Sequence, residues 1–382
     1  MTRPTGPIPS ATTLPTNDAE ERLAYLALAL VDGLGARRLA ALLSQCGSAT
    51  AVLAASPTQL AETPGLSREV RSAIRRARLE EAERHLARCA QLGQQLLTPA
   101  CDAYPASLRS IPDPPIALWV RGRVDLLTRP AVAIVGSRDH SAYGEDVARR
   151  VAREAARAGI AVVSGMARGL DAVAHEAALA AHGATIGVLG TGADVVYPQQ
   201  NWRLFQDVLD HGLLVSELPP GSRPHAGAFP RRNRLISGLT QVTVIVEAAE
   251  GSGTMLTCAS ALEQGREVLV VPGPITSRTS CGTNRLLAEG ATPLLTPADI
   301  LSHFGAATPP RDPALVDPPT CTLSPTEARV FAALADTGRH IDELALAVGL
   351  PVGEMLATLL GLEIGGLAQS LPGGQYRRGA RR

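Results

Sequence analysis

From residue 131 onward the chain repeats one pattern. A short run of apolar, often β-branched residues ends in a glycine or another small residue, and a stretch with helical spacing follows. Ala131–Val135 runs into Gly136-Ser137-Arg138, residues 160–163 into Ser164-Gly165, and Thr185–Leu189 into Gly190-Thr191-Gly192. Leu213–Ser216, 241–246, 268–271 and 292–295 continue the series, and 241–246 leads to Gly251-Ser252-Gly253-Thr254. Helical stretches at 143–158, 170–181 and 255–263 separate the runs. Strands alternating with helices in this way predict a Rossmann-like α/β unit, a doubly wound parallel sheet over residues 99–304. Parallel strands bring every one of these small-residue loops to the same sheet edge, where ligands bind in such folds.

That edge suits a polyanion. Phe229-Pro230-Arg231-Arg232-Asn233-Arg234 places three guanidiniums within four residues, beside a proline-fixed turn and an aromatic ring. Guanidinium forks match phosphate geometry and an aromatic face stacks on a base. Gly136-Ser137-Arg138 is not a GxGxxG fingerprint, and the second run ends in Ser164-Gly165 with no acid to hold a ribose, so a dinucleotide is disfavoured. An anion site built from the Ser137 hydroxyl, Arg138 and the following helix N-terminus fits better.

Two pairs of polar residues carry alternative readings. Asp171 and His175 are four apart on one helix and share a face. They are either a catalytic pair or an N-terminal acid with a histidine packed behind it; no nucleophile accompanies them, which favours packing. Glu217 and Glu247 close two strands. They suit either general-base work or the orientation of Arg231, Arg232 or Arg234, and the second role is preferred.

The flanks are of different character. Residues 1–17 are rich in proline and threonine and read as a disordered tail. Residues 18–98 read as a helical domain in which Asp32-Gly33-Leu34-Gly35 and Thr63-Pro64-Gly65-Leu66 precede amphipathic basic helices. Such turns either offer backbone N–H groups to a phosphate or are ordinary helix caps. The stretch 101–128, with its rigid Pro112-Asp113-Pro114-Pro115, reads as packing on a sheet edge. Residues 305–320 form a proline-rich linker. In 321–382, helices at 325–334, 341–347 and 352–363 followed by a hairpin at 367–376 read as a winged helix. Its third helix holds Glu354 and Glu363 and no basic residue, a poor major-groove reader, so a protein-contact or packing role is preferred.

Composition excludes several classes. Net charge is zero, so nucleic-acid binding has to come from a local patch. All 36 basic residues are arginine, which removes the P-loop and Schiff-base chemistry. The six cysteines (46, 89, 101, 258, 281 and 321) show no zinc-binding spacing and read as free thiols of a reducing cytosol. The longest early apolar run, 24–31, is too short to span a membrane, and no signal pattern opens the chain, so a cytoplasmic location is expected.

The ordered set IVGSR, SGMARGLDAVAH, GVLGTGADVVYPQQN, SELPPG, FPRRNRLISGL, VEAAEGSGTMLTCASALEQGREVLVVPG and SCGTNRLLAEGA resembles the motifs of the DNA-processing protein A family (DprA, also called Smf) across the whole α/β unit. The resemblance implies that the helical domain 18–98 is SAM/HhH-like, and that the chain is a non-enzymatic, cofactor-free protein that binds single-stranded DNA, loads the RecA recombinase on it during natural transformation and dimerises through the Rossmann-like domain. Duplex DNA and single-strand binding protein are further partners it suggests. The family's DNA pocket falls on Gly136, Ser137, Arg138, Ser164, Gly165, Phe229, Arg231, Arg232, Asn233, Arg234, Gly251, Ser252, Gly253 and Thr254. Family members often place a basic residue shortly before the phenylalanine, where this chain has Arg223-Pro224-His225-Ala226-Gly227. The alternative is a nucleotide hydrolase of the lysine-decarboxylase-like family, whose GGxGTxxE motif resembles 251–254. Here the motif's acid position is Thr257, which argues against glycosidic hydrolysis.

Overall fold

A computed structural model describes residues 19–99, 101–305, 324–335, 337–364 and 367–379. The expected tail (1–17) and all of the expected linker but Gly305 lie outside the described residues, as do Arg381 and Arg382. The chain divides into two compact units, with the boundary at residue 312.

The first unit opens with helices α1 (Ala19–Ala29), α2 (Ala36–Cys46), α3 (Ala49–Ala54), α4 (Pro57–Ala61), α5 (Arg68–Arg76) and α6 (Leu79–Gln91). They close over an apolar core that includes Leu28, Leu39, Leu42, Val52, Leu60 and Ile74. The two glycine turns stand side by side. Gly33 and Gly65 have φ of +79° and +73°, and Arg38 Nη1 donates to Gly33 O at 2.8 Å while its Nε lies near Gly65.

The α/β part carries strands β1 (Gln95–Leu97), β2 (Leu118–Gly122), β3 (Ala131–Val135), β4 (Ala161–Ser164), β5 (Thr185–Leu189), β6 (Leu213–Ser216), β7 (Val242–Ile245), β8 (Glu267–Val270) and β9 (Thr292–Pro293). Helices α7 (Ala106–Arg109), α8 (Ala142–Arg157), α9 (Leu170–Ala180), α10 (Trp202–His211), α11 (Ala228–Gly238), α12 (Gly253–Glu263) and α13 (Cys281–Ala288) connect them. All nine strands form one sheet in the order β1-β2-β6-β5-β4-β3-β7-β8-β9. The stretch 101–128 does more than pack on an edge: its β2 pairs antiparallel with β6, and β1 pairs with β2. Each central strand serves two cores. In β3, Ala131, Ala133 and Val135 face one apolar layer while Val132 and Ile134 face the other. Burial on both faces is why these strands read as continuous apolar runs.

The chain steps outward from β3 through β4, β5 and β6, then crosses back to lay β7 on the other side of β3. Val135 pairs with Ile245 at that seam. The loops after β3 and β7 therefore diverge to opposite faces and leave a crevice between them, the topological switch point of a doubly wound sheet.

The second unit contains α14 (Pro325–Ala333), β10 (Arg339–His340), α15 (Ile341–Val348), α16 (Val352–Ile364), β11 (Ala368–Leu371) and β12 (Gln375–Arg378). Ser324 and Glu327 form a capping box at the start of α14, with Pro325 in the first turn. Its three strands pair in the order β10-β12-β11, which completes a winged helix. No single helix among the described residues is long and apolar enough to cross a membrane.

Candidate nucleic-acid interface

The crevice starts at Gly136. A Cβ there would lie 2.4 Å from Leu170 Cδ1, so glycine lets the start of α9 close against the end of β3. Ser137 Oγ accepts from Asp139 N at 3.1 Å and donates to Asp139 O at 2.9 Å, so it shapes its own loop. Ser141 caps α8 by accepting from Gly144 N at 3.0 Å. Glu247, at the end of β7, accepts from Ser141 N at 3.0 Å and Ser141 Oγ at 2.5 Å. The expected role of Glu247 as an arginine partner is thus corrected: its carboxylate is buried and ties the loop after β7 to the loop after β3.

The second correction concerns 229–234. Rather than forming a turn, the segment lies in the first two turns of α11. Pro230 is tolerated there because the first N–H groups of a helix have no intrahelical partner. Helical geometry then sends the three arginines in different directions. Arg231 points outward, its side chain 56% exposed, whereas Arg234 is 12% exposed and Arg232 is buried. Arg232 Nη1 donates to Gly165 O and Val188 O. Beside it, Asp171 accepts from Gly165 N at 3.1 Å and Ala167 N at 3.4 Å. A Cβ on Gly165 would meet Arg232 Nη1 at 2.5 Å and Asp171 Oδ2 at 2.6 Å, so the two charges close on this glycine from both sides. Burial pushes the Asp171 carboxyl up while Arg232 and the backbone donors pull it back. Burial lowers the Arg232 guanidinium to about 10, with Asp171 opposing the shift and Arg138 adding to it.

Arg231 Nη2 and Arg234 Nη2 share Glu217 Oε1, at 3.1 and 2.5 Å, and Arg234 Nε reaches Asp113 Oδ2 at 3.1 Å. Glu217 is the arginine partner expected of it. Arg232 and Arg234 are held by acceptors of the protein itself, so the expectation that they take phosphates is revised: Arg138 and Arg231 remain as the outward guanidiniums of the set. His175 is fully buried with its Nδ1 2.7 Å from Thr185 Oγ1, and burial holds its imidazole down at about 3. This is the packing arrangement for Asp171 and His175.

The crevice is a groove of about 740 Å³, lined among others by Gly136, Ser137, Arg138, Asn233, Ser252 and Thr254. It adjoins a cavity of about 250 Å³ bounded by Gly165, Arg168, Thr191, Tyr197 and Gln200, and both share Arg138, Phe229 and Arg232. Tyr197 and Phe229 pack against each other in a tilted pair, with ring centroids 5.4 Å apart and planes at 34°. A Cβ on Gly190 would lie 2.8 Å from the Phe229 ring, so that glycine seats the aromatic pair. Asn233 Nδ2 donates to Gly253 O at 3.2 Å and joins α11 to the first residue of α12. Four of the expected residues stand apart. Ser164 is fully buried and donates to Ile134 O at 2.7 Å, Arg231 and Arg234 turn to Glu217, and Gly251 is an exposed turn glycine at φ +71°. Upstream of the phenylalanine, His225 and Pro224 line the groove. Arg168 was missed by the sequence reading, although a basic residue inside the SGMARG turn was its signal.

Chemically the groove offers anion-binding elements and little else. Helices α9, α11 and α12 begin around it, Arg138 is exposed at its mouth, and the aromatic pair forms one wall, while Arg231 is exposed on α11 beside Glu217 outside the lining. Asp171 is the sole carboxylate among its lining residues, and it is committed to the backbone of 165–167. Thr257, at the acid position of the hydrolase motif, lines it too. Among the described residues no group of three or more His, Cys, Asp and Glu side chains could hold a metal ion.

Residues 95–305 match the family described as DNA recombination-mediator protein A, and residues 312–374 match the DprA winged helix domain. The chain belongs to the DprA family. It is 39% identical over 292 residues to Protein Smf of Escherichia coli K12, an alignment covering 75% of this chain and 78% of that one. It is 40% identical over 301 residues to a putative DNA processing protein DprA of Mycobacterium tuberculosis, covering 74% and 76%. The crystal structure of Streptococcus pneumoniae DprA superposes with a TM-score of 0.65 at 31% identity, covering 75% of this chain and 98% of that one. A Helicobacter pylori DprA structure, solved for insight into that protein's single-stranded DNA binding mode, gives 0.51 at 32% identity, covering 55% and 94%.

Proposed function

We propose that this DprA family member is a single-stranded DNA-binding recombination mediator. The observation that carries the reading is the convergence, at the switch point between β3 and β7, of three helix starts, the exposed Arg138 and a tilted aromatic pair, with Arg231 exposed two residues beyond Phe229 on α11. Helix N-termini and guanidiniums take backbone phosphates, and the Tyr197–Phe229 wall stacks a base whatever its identity. The H. pylori relative's single-stranded DNA binding supports the same role here. The finer expectations follow from family membership: delivery of the bound strand to a RecA-type recombinase during transformation, exchange with single-strand binding protein, action as a homodimer, and no catalysis of its own. The absence of a free carboxylate in the groove lining favours the binding role over hydrolysis.

The test is fluorescence anisotropy with labelled oligo-dT. Arg138→Ala and Arg231→Ala should each weaken binding several-fold and make the salt dependence shallower by about 0.7 in log–log slope. Wild-type affinity from both variants would remove the groove assignment. Release of free base from nucleoside monophosphates would favour the hydrolase.

A further inference from the structure

A second basic cavity lies close to the groove, on the helical domain. Glu81, Arg84, His85 and Arg88 line a depression of about 340 Å³ on α6. The four residues recur at the three- and four-residue spacing that places them on one helix face. The Arg88 guanidinium sits over the Gly221 turn, where a Cβ would be 3.1 Å from its Nη2, and Gly221 N donates to Asp194 Oδ1 at 2.8 Å. Three residues further along the same loop, Pro224, His225 and Ala226 form part of the groove lining. Three residues of extended chain span at most about 11 Å, so one surface loop separates the two depressions.

We propose that the groove does not end at its His225 wall: a single strand leaving it crosses the 221–226 loop and continues onto α6, where Arg84 and Arg88 hold its phosphodiester backbone. This rests on the reading of the groove as a single-strand site and extends that site onto a second domain. The charge in the cavity suits a phosphate. Arg84 is 72% exposed, and its pairing with Glu81 at 3.9 Å is solvent-exposed and screened, so a closer phosphate displaces it readily. His85 is partly buried, and burial and Arg88 together lower its pKa, so near neutral pH the positive charge comes from the two arginines. His85 Nδ1 is shielded from solvent and without a partner in the protein. The cavity presents no aromatic platform, so it contributes backbone contact alone and adds length to the footprint, not base preference.

The experiment compares a short oligo-dT, long enough to fill the groove alone, with one about twice that length, on the full chain. The double variant Arg84→Ala/Arg88→Ala should bind the short strand as wild type does. For the long strand it should lose several-fold in affinity, and its salt slope should fall by about 1.4, the share of two phosphate contacts on single-stranded DNA. Arg84→Lys/Arg88→Lys should recover most of that slope, since a lysine still neutralises a phosphate. Arg75→Ala/Arg76→Ala, which removes equal charge from the same domain, should not reproduce the loss. Unchanged long-strand binding in the alanine variant, or equal losses for short and long strands, would overturn the extended path. Failure of the wild type to bind the short strand would instead remove the groove reading on which it depends.

Discussion

Arg232 distinguishes a phosphate ligand from a structural charge, and the two roles predict opposite experiments. In Arg232→Met the guanidinium bonds to Gly165 O and Val188 O disappear, and Asp171 is left buried without its cationic neighbour. Breaking a buried charge pair from one side costs about 3–5 kcal/mol, because the remaining charge keeps its desolvation penalty. Methionine fills much of the vacated volume, so the loss should lie near the lower end of that range. At about 2–4 °C per kcal/mol for a domain of this size, the melting temperature should fall by roughly 6–12 °C. Urea titration followed by tryptophan fluorescence reads this directly, since Trp119 is buried in β2. Adding Asp171→Asn should recover part of the loss, and the double-mutant cycle should give a coupling above about 1 kcal/mol. At a temperature where the variant is fully folded, oligo-dT affinity should fall less than in Arg231→Ala. A variant within about 0.5 kcal/mol of wild type that nonetheless loses ten-fold in affinity would refute the inward assignment and return Arg232 to the list of phosphate ligands.

Glu217→Gln removes the carboxylate shared by Arg231 and Arg234, so affinity for oligo-dT should rise and stability should fall by about 1 kcal/mol or more, measured by anisotropy and urea titration. Tyr197→Ala should weaken binding of single strands by about 1–3 kcal/mol, equally for pyrimidine and purine tracts; a loss confined to one base type would contradict sequence-tolerant stacking. His175 titrates near 6.5 in the unfolded chain and at about 3 in the fold. The unfolded state therefore takes up a proton that the native state does not as pH drops below 6.5, and stability should decline by up to about 1.4 kcal/mol per pH unit toward pH 5. His175→Gln should lack that increment of slope.

The central sheet was legible because burial on both faces writes itself as uninterrupted apolar runs. Ala131–Val135, Thr185–Leu189 and Leu213–Ser216 are found as read, and the other strands shift by a residue or two at their ends. β1 and β2 were not legible as strands of the same sheet: β1 has three residues, and the pairing of β2 with β6 joins segments almost a hundred residues apart. The positions of the small-residue loops followed from strand direction alone, so most of the groove lining was foreseeable. What each arginine does was not. Pro230 in FPRRNR reads locally as a turn, and only helical phase decides that Arg231 faces outward while Arg232 turns in. The acceptors that hold Arg232 are backbone carbonyls of Gly165 and Val188, groups that every residue carries and that leave no mark in the sequence. Glu217 and Glu247 carry the same signal, an acid at a strand end beside an arginine cluster, and only the fold separates Glu217, which holds Arg231 and Arg234, from Glu247, which holds Ser141.

This division of the arginines bears on how tightly the groove can grip. The chain carries no net charge, so the attraction for DNA is local. Of the four guanidiniums in the expected set, Arg232 and Arg234 are spent on protein acceptors and Arg231 is partly neutralised by Glu217. Two outward arginines and the helix starts give a modest salt slope, and a cationic groove of full strength would hold a strand more tightly. On the proposed reading that restraint is functional. A mediator has to yield its strand to the next protein, and a site whose outermost arginine already has a carboxylate to return to lowers the cost of release. Affinity rising on Glu217→Gln while transfer of the strand to a recombinase slows would bear this out, and unchanged transfer would separate the carboxylate from hand-over.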